Sequence, residues 1–158
     1  LSGRAADGRD CLYEMVAGVL DEIAGMTVFL NPVEESYARF GGHKAPRYIS
    51  WSRENRSQLV RIPAAVGEYR RAELRSPDPT ANPYLAFTLM ISAGLHGIEH
   101  GLALPPAADF NFYQADAETL SRFQLLPHDL SSARAAALGS GFVREVLPAA
   151  VRTGYCER

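Results

Sequence analysis

A helix, three short strands and a second long helix follow one another within the first hundred or so residues, and that order limits the fold. Over residues 10–26, Leu12, Val16, Val19, Leu20 and Ile23 recur at helical spacing, and Asp10 stands where it can cap the start. Gly25 and the β-branched Thr27 and Val28 predict the end of that helix. Asn31, held out of the helical region by Pro32, opens a loop, and Gly41 with Gly42 marks a flexible turn within it. Strands are predicted over 47–51, 58–63 and 70–76, with Gly67 in the loop between the last two. In the third, alternation puts Arg71, Glu73 and Arg75 on one face and Ala72 and Leu74 on the other. A face with three charges is not core; it is either solvent surface or the floor of a polar cleft. The longest helix starts at Asn82 and Pro83, carries Leu85, Leu89 and Leu95, and ends near Gly101. Shorter helices are predicted over 115–123, 131–138 and 141–146, and the polar tail after Pro148 is expected to fray. Strands adjacent in sequence predict antiparallel pairing, so the fold class is α+β.

At 158 residues the chain fits one domain with a real core. Its formal net charge of −2 gives no global field for nucleic acid or an anionic membrane. No apolar run approaches the roughly 18 residues of a membrane span. The opening LSGRAADGRD lacks both a signal peptide's apolar core and an initiator Met, so the chain is expected to begin inside a longer protein. Cys11 and Cys156 have no metal or redox spacing and fit a reducing cytosol as two lone thiols.

Charge is uneven along the chain. Arg39, Lys44, Arg47, Arg53, Arg56, Arg61, Arg70, Arg71 and Arg75 face only Glu54, Glu68 and Glu73 in one window, a local net charge of +6. Guanidinium groups bind phosphate and carboxylate oxygens two at a time, so converging arginines suit a nucleotide phosphate or a phosphoryl group in transfer. Glu73 between Arg71 and Arg75 is where a divalent cation on those phosphates would find a carboxylate. A salt-bridged strand face is the plainer alternative.

His96 and His100 match the H-x-x-E-H zinc-protease pattern, but Gly97 and Gly101 weaken the helix where ligands need rigidity. Histidines near a helix C-terminus are also favoured by the dipole, and the pattern is read here as structural. The four histidines form no triad order, and no Walker or dinucleotide glycine loop is present. Stacking residues for nucleic acid are few in the basic window: Trp51, Tyr69, Tyr37 and Tyr48.

The runs NPVEESYARF, KAP, SWSRENRSQLVRIP, RRAELRSPDPTANPYLAF and SAGLHGI, in that order and spacing, resemble the C-terminal signature blocks of glutamine synthetases over residues 31–98. The resemblance implies that 1–158 is the C-terminal part of such a catalytic domain, with the β-grasp domain and the first part of the catalytic domain absent. It implies an ATP-dependent carboxylate–amine ligase that makes glutamine from glutamate and ammonia through γ-glutamyl phosphate, with ATP and Mg2+ or Mn2+ as cofactors. By the same resemblance Arg39 meets the substrate carboxylate, Arg56 and Arg61 handle ATP phosphates and the transferred phosphoryl group, and Arg71 contacts the nucleotide. Glu73 matches a metal-binding carboxylate, and Arg75 an arginine near substrate and phosphate. A cytoplasmic parent in nitrogen metabolism, assembled as a homo-oligomeric ring, with no nucleic-acid or membrane partner, is implied too.

Two departures matter. Where the family's flap reads like PGxEAP, this chain reads GGHKAP, one residue shorter, with Lys44 in place of Glu. A cation cannot act as that carboxylate base, which leaves ammonia, another amine, or a subgroup with a different flap all open. The family's other metal-binding glutamates and its metal-binding histidine precede the region present here, so the fragment is expected to be inactive alone and to expose apolar surface. A non-catalytic homologue that keeps the arginine cleft, and a free-standing anion-binding domain, are the readings from other classes.

Overall fold

The computed structural model describes residue 8 and residues 10–42, 45–65 and 69–157. Helix α1, Leu12–Leu30, is the spine of the core; Leu12, Val16, Ile23, Met26 and Phe29 are all almost fully buried. Asp10 accepts a hydrogen bond from the Leu12 N–H at 3.1 Å, but it stands one residue before the N-cap, Cys11, so the helix starts later than expected. The helix runs four residues past the predicted end at 26. Thr27 returns its hydroxyl to the Ile23 carbonyl at 2.7 Å, and Val28, Phe29 and Leu30 are completely buried, so packing overrides the weak helix propensity of Thr27 and Val28.

A short helix α2, Glu34–Tyr37, which no sequence signal announces, follows Pro32. Three two-residue strands come next: β1, Trp51–Ser52; β2, Val60–Arg61; and β3, Glu73–Leu74. They form one sheet in the order β1-β2-β3, with β2 and β3 antiparallel as expected. The β1–β2 pair is parallel, which corrects the expectation for that step. Side chains turn the chain between them: Ser52 donates its hydroxyl to the Asn55 carbonyl at 3.2 Å and accepts from the Asn55 N–H at 3.0 Å. Buried Gln58 then donates to the carbonyls of Ala108 and Phe110, anchoring the return.

Helix α3, Pro83–Glu99, begins where the sequence places it, with the Asn82 side chain accepting from the N–H groups of Tyr84 and Leu85. It packs along α1, burying Ala86, Leu89, Ala93, Gly94 and Gly97. The seam is tight enough that a Cβ on Gly18 would lie 2.0 Å from the Ala93 carbonyl oxygen, and one on Gly97 2.0 Å from that of Glu14. Its outer face leaves Tyr84, Phe87, Ile91 and Leu95 exposed, in line with the expected apolar surface. Among the described residues no helix is long and apolar enough to cross a membrane.

Three further helices match predicted ones: α4, Ala117–Leu120, capped by Asp116, and α5, Leu130–Gly139, capped by Asp129, with shifted ends, and α6, Gly141–Val146, capped by Ser140, at the predicted bounds. The tail is not frayed. It forms α7, Ala149–Cys156, because Tyr155 packs on Phe29 with ring centroids 5.1 Å apart and its carbonyl accepts from Arg134 Nε. Gly154 lies inside α7, and a methyl added there would meet no atom within 4 Å. Gly154→Ala is therefore expected to stabilise the chain by about 1 kcal/mol, the helix-propensity difference, read as a higher thermal midpoint.

Candidate functional site

The site is built on the β2–β3 ladder. Its register sets Arg61 opposite Glu73, and directly opposed residues share one face of a sheet. Arg61 Nη1 lies 3.0 Å from Glu73 Oε2, and Arg71 Nη2 lies 3.2 Å from Oε1, so both carboxylate oxygens carry an arginine. Arg75 follows two residues later on the same face, while Ala72 and Leu74 pack against the core. The alternation read from the sequence thus describes a charged floor over an apolar underside.

Arg75 is electrostatically perturbed. Burial pulls its guanidinium below its ordinary value; Arg56 and Arg61 pull the same way, while Tyr113 and Glu73 oppose. Arg56 comes from the loop after β1, held by Ser57, whose hydroxyl accepts from the Phe112 N–H at 3.0 Å. Arg75 Nη1 and Arg61 Nε are both buried with no hydrogen-bond partner among the described residues. Buried guanidinium N–H groups without acceptors carry a desolvation cost that an anion's oxygens would remove.

Arg39 is placed differently. Its Nη2 donates to Asn31 Oδ1 at 2.9 Å and to the Ser76 carbonyl at 3.1 Å, and its Nε lies 3.0 Å from Asp78 Oδ2. None of these partners belongs to the Arg61–Glu73 group, so Arg39 braces the end of α1 against the segment after β3. Burial pushes the Asp78 carboxyl up, but hydrogen bonds from Thr80 and the Arg39 charge more than offset it and hold it below the ordinary value. A depressed folded-state value means stability that is present above the unfolded value of about 3.9 and lost as pH falls through the lower folded one. Asp78→Asn should therefore lower stability at neutral pH and flatten its acid-side decline, measured by urea unfolding across a pH series.

Lys44 and His43 lie outside the described residues. At the near edge of that segment the Tyr113 hydroxyl donates to the Gly42 carbonyl at 2.7 Å. A cavity of about 400 Å³ opens there between Gly41, Arg47, Tyr48, Phe112 and Tyr113. Tyr48 stacks on Phe112, centroids 5.1 Å apart. Neither Tyr113 nor Asp78 stands out in the sequence; only the aromatic run of Phe110, Phe112 and Tyr113 hints at the former.

The arginines fit phosphate or carboxylate oxygens. A divalent ion is a poorer fit to these residues alone, because Glu73 is one carboxylate and both its oxygens face arginines. Fold and floor together describe part of an anion-handling catalytic domain. The chain belongs to the glutamine synthetase catalytic-domain family, which it matches over residues 2–158. It is 45% identical over 150 residues to a glutamine synthetase of Methanosarcina mazei, covering 93% of this chain and 33% of that protein. A glutamine synthetase of Thermus thermophilus is 41% identical over 145 residues, 90% of this chain and 32% of its own length. Among solved structures the chain is similar to ligand-free GmaS, with TM-score 0.79, 29% identity and coverage of 99% of this chain and 35% of that one. Its similarity to a GmaS/ADP complex has TM-score 0.80, 30% identity and coverage of 99% and 36%. The chain spans about a third of the length of the relatives it matches.

Proposed function

We propose that this chain supplies the arginine floor of an ATP-dependent carboxylate–amine ligase that makes glutamine through γ-glutamyl phosphate. The observation that carries the reading is the pair of buried N–H groups of Arg61 and Arg75, without acceptors among the described residues, beside Glu73. In that reaction a glutamate carboxylate oxygen attacks the terminal phosphorus of ATP, ADP leaves, and ammonia then displaces phosphate from the acyl carbon. Negative charge develops on the phosphoryl oxygens during transfer, and on the acyl oxygen and then the departing phosphate when ammonia adds. Fixed guanidinium donors stabilise the phosphate charge without reorganising. Arg61 and Arg75 are assigned that role, and Arg56, Arg61 and Arg71 the nucleotide and its phosphates. Mg2+ or Mn2+, when bound, neutralises phosphate charge; Glu73 would be one ligand, with the others supplied by residues beyond this chain. Arg39 is assigned the substrate carboxylate, on top of its bracing ties. The family membership and the similarity to GmaS, solved with ADP, support the nucleotide.

Two acceptors are compatible with the chain, since Lys44 stands where the family's flap carries Glu. The test is glutamate-dependent ADP release by the enzyme that carries this chain, with ammonium and then with a panel of amines. Release with ammonium supports glutamine synthesis. Release only with another amine moves the chain to a sister ligase, and no release with any acceptor leaves a non-catalytic homologue. The 158 residues alone are expected to give no turnover.

A further inference from the structure

We infer that the chain binds a divalent transition-metal ion of the Zn2+ class at Asp21, Glu22 and His96, on the seam between α1 and α3 and apart from the arginine floor. The close approach of the two helices creates the site. A Cβ on Gly18 would stand 2.8 Å from Gly97 Cα, so the backbones are in direct contact there. One turn further along α1 come Asp21 and Glu22, and the residue beside Gly97 on α3 is His96. Backbone contact at the glycines therefore forces two carboxylates and an imidazole together. Their ligand atoms all lie within 4.8 Å of one another.

An ion held at about 2.0–2.2 Å brings neighbouring ligand atoms to roughly 3.4 Å apart, so the three side chains have about an ångström to close. Asp21 is exposed and can make that movement, whereas the His96 ring is already held. It lies tilted against His100 with centroids 4.1 Å apart and meets the edge of Phe142 at 6.4 Å. Asp21, exposed, and Glu22, half-buried, are neighbouring carboxylates on α1, and ionised together they repel each other. A cation shared by all three would relieve that repulsion.

The donor set selects the ion. One imidazole nitrogen with two carboxylates suits Zn2+ and its neighbours, while Mg2+ prefers oxygen ligands and keeps its waters. Three protein ligands would leave a position for water. The zinc-protease pattern in the sequence points to different partners: in the structure His100 Nδ1 is 2.9 Å from the His96 carbonyl oxygen, and the carboxylates come from α1 rather than from Glu99.

Calorimetric titration of the 158-residue chain with ZnCl2, and with MgCl2 in parallel, tests the site. One equivalent of Zn2+ is expected to bind, with Mg2+ far weaker. Altering only outer-sphere partners of a metal site costs about 10–100-fold in affinity, so His96→Gln or Glu22→Gln should weaken Zn2+ by about 100-fold or more. Asp21→Asn, an exposed change that leaves the fold intact, should weaken it too, and Glu73→Gln should not. Absence of Zn2+ binding, or binding that survives both His96→Gln and Asp21→Asn, overturns the proposal. Binding lost only in Glu73→Gln would put the ion in the arginine floor and overturn it equally.

Discussion

Gly97→Ala is expected to destabilise the chain by about 3 kcal/mol or more, enough to leave little folded protein on thermal or urea unfolding. The added methyl would sit 2.0 Å from the Glu14 carbonyl oxygen and 2.8 Å from the Gly18 backbone nitrogen. Those are backbone atoms of another helix, so no side-chain rotation relieves the overlap; α1 and α3 must separate. Separation opens the seam that buries Val16, Val19, Leu89 and Ala93. The helix-propensity gain of alanine over glycine returns only about 1 kcal/mol. Gly18→Ala meets the mirror contact, a carbonyl oxygen of α3 at 2.0 Å, and should behave alike. The contrast with Gly154→Ala, which has open space and should stabilise, makes the pair a control for the substitution itself. Equal midpoints for the two variants would refute the tight crossing.

That crossing is only partly legible in the sequence. The apolar periods of α1 and α3 and the Asn82 cap are local signals, and both helices stand where those signals put them. Which glycine touches which carbonyl is set by the register between two helices far apart in the chain, and no local pattern encodes it. The last turn of α1 and the whole of α7 escape a sequence reading for a related reason. Thr27 and Val28, like the sparse apolar positions of α7, become helical through burial against other elements. The strands predicted over 58–63 and 70–76 contract to two residues each, while the one predicted over 47–51 shifts to Trp51–Ser52, because residues 47–49 bond instead to 124–126 through an isolated Tyr48–Leu125 bridge that no local pattern announces.

The charged floor shows the same division. Period-two alternation places Arg71, Glu73 and Arg75 together, and the structure agrees. Pairing of Arg61 with Glu73 depends on strand register. The bracing of Arg39 depends on Asp78, whose importance lies in its contacts and not in its surroundings in the sequence. Family resemblance supplies roles for these residues, and geometry adds which of them share a face.

Arg61→Ala, in the enzyme that carries this chain, is expected to cut glutamate-dependent ADP release by about 10²–10³-fold or more, the cost of removing one fixed donor from a developing anion. Its effect on folding should be small. The Arg61 side chain is partly exposed, and Glu73 keeps Arg71 when Arg61 is removed. Losing such a pair costs about 1 kcal/mol or less, and relief of Arg75 from a neighbouring positive charge offsets part of that. The dissociation is the diagnostic: activity falls by orders of magnitude while the unfolding midpoint moves little. Arg61→Lys should restore little, since a single ammonium cannot reproduce two in-plane donors facing phosphate oxygens. Undiminished turnover in Arg61→Ala would sever Arg61 from the phosphoryl group, and the floor would then be a salt-bridged surface whose chemistry lies elsewhere.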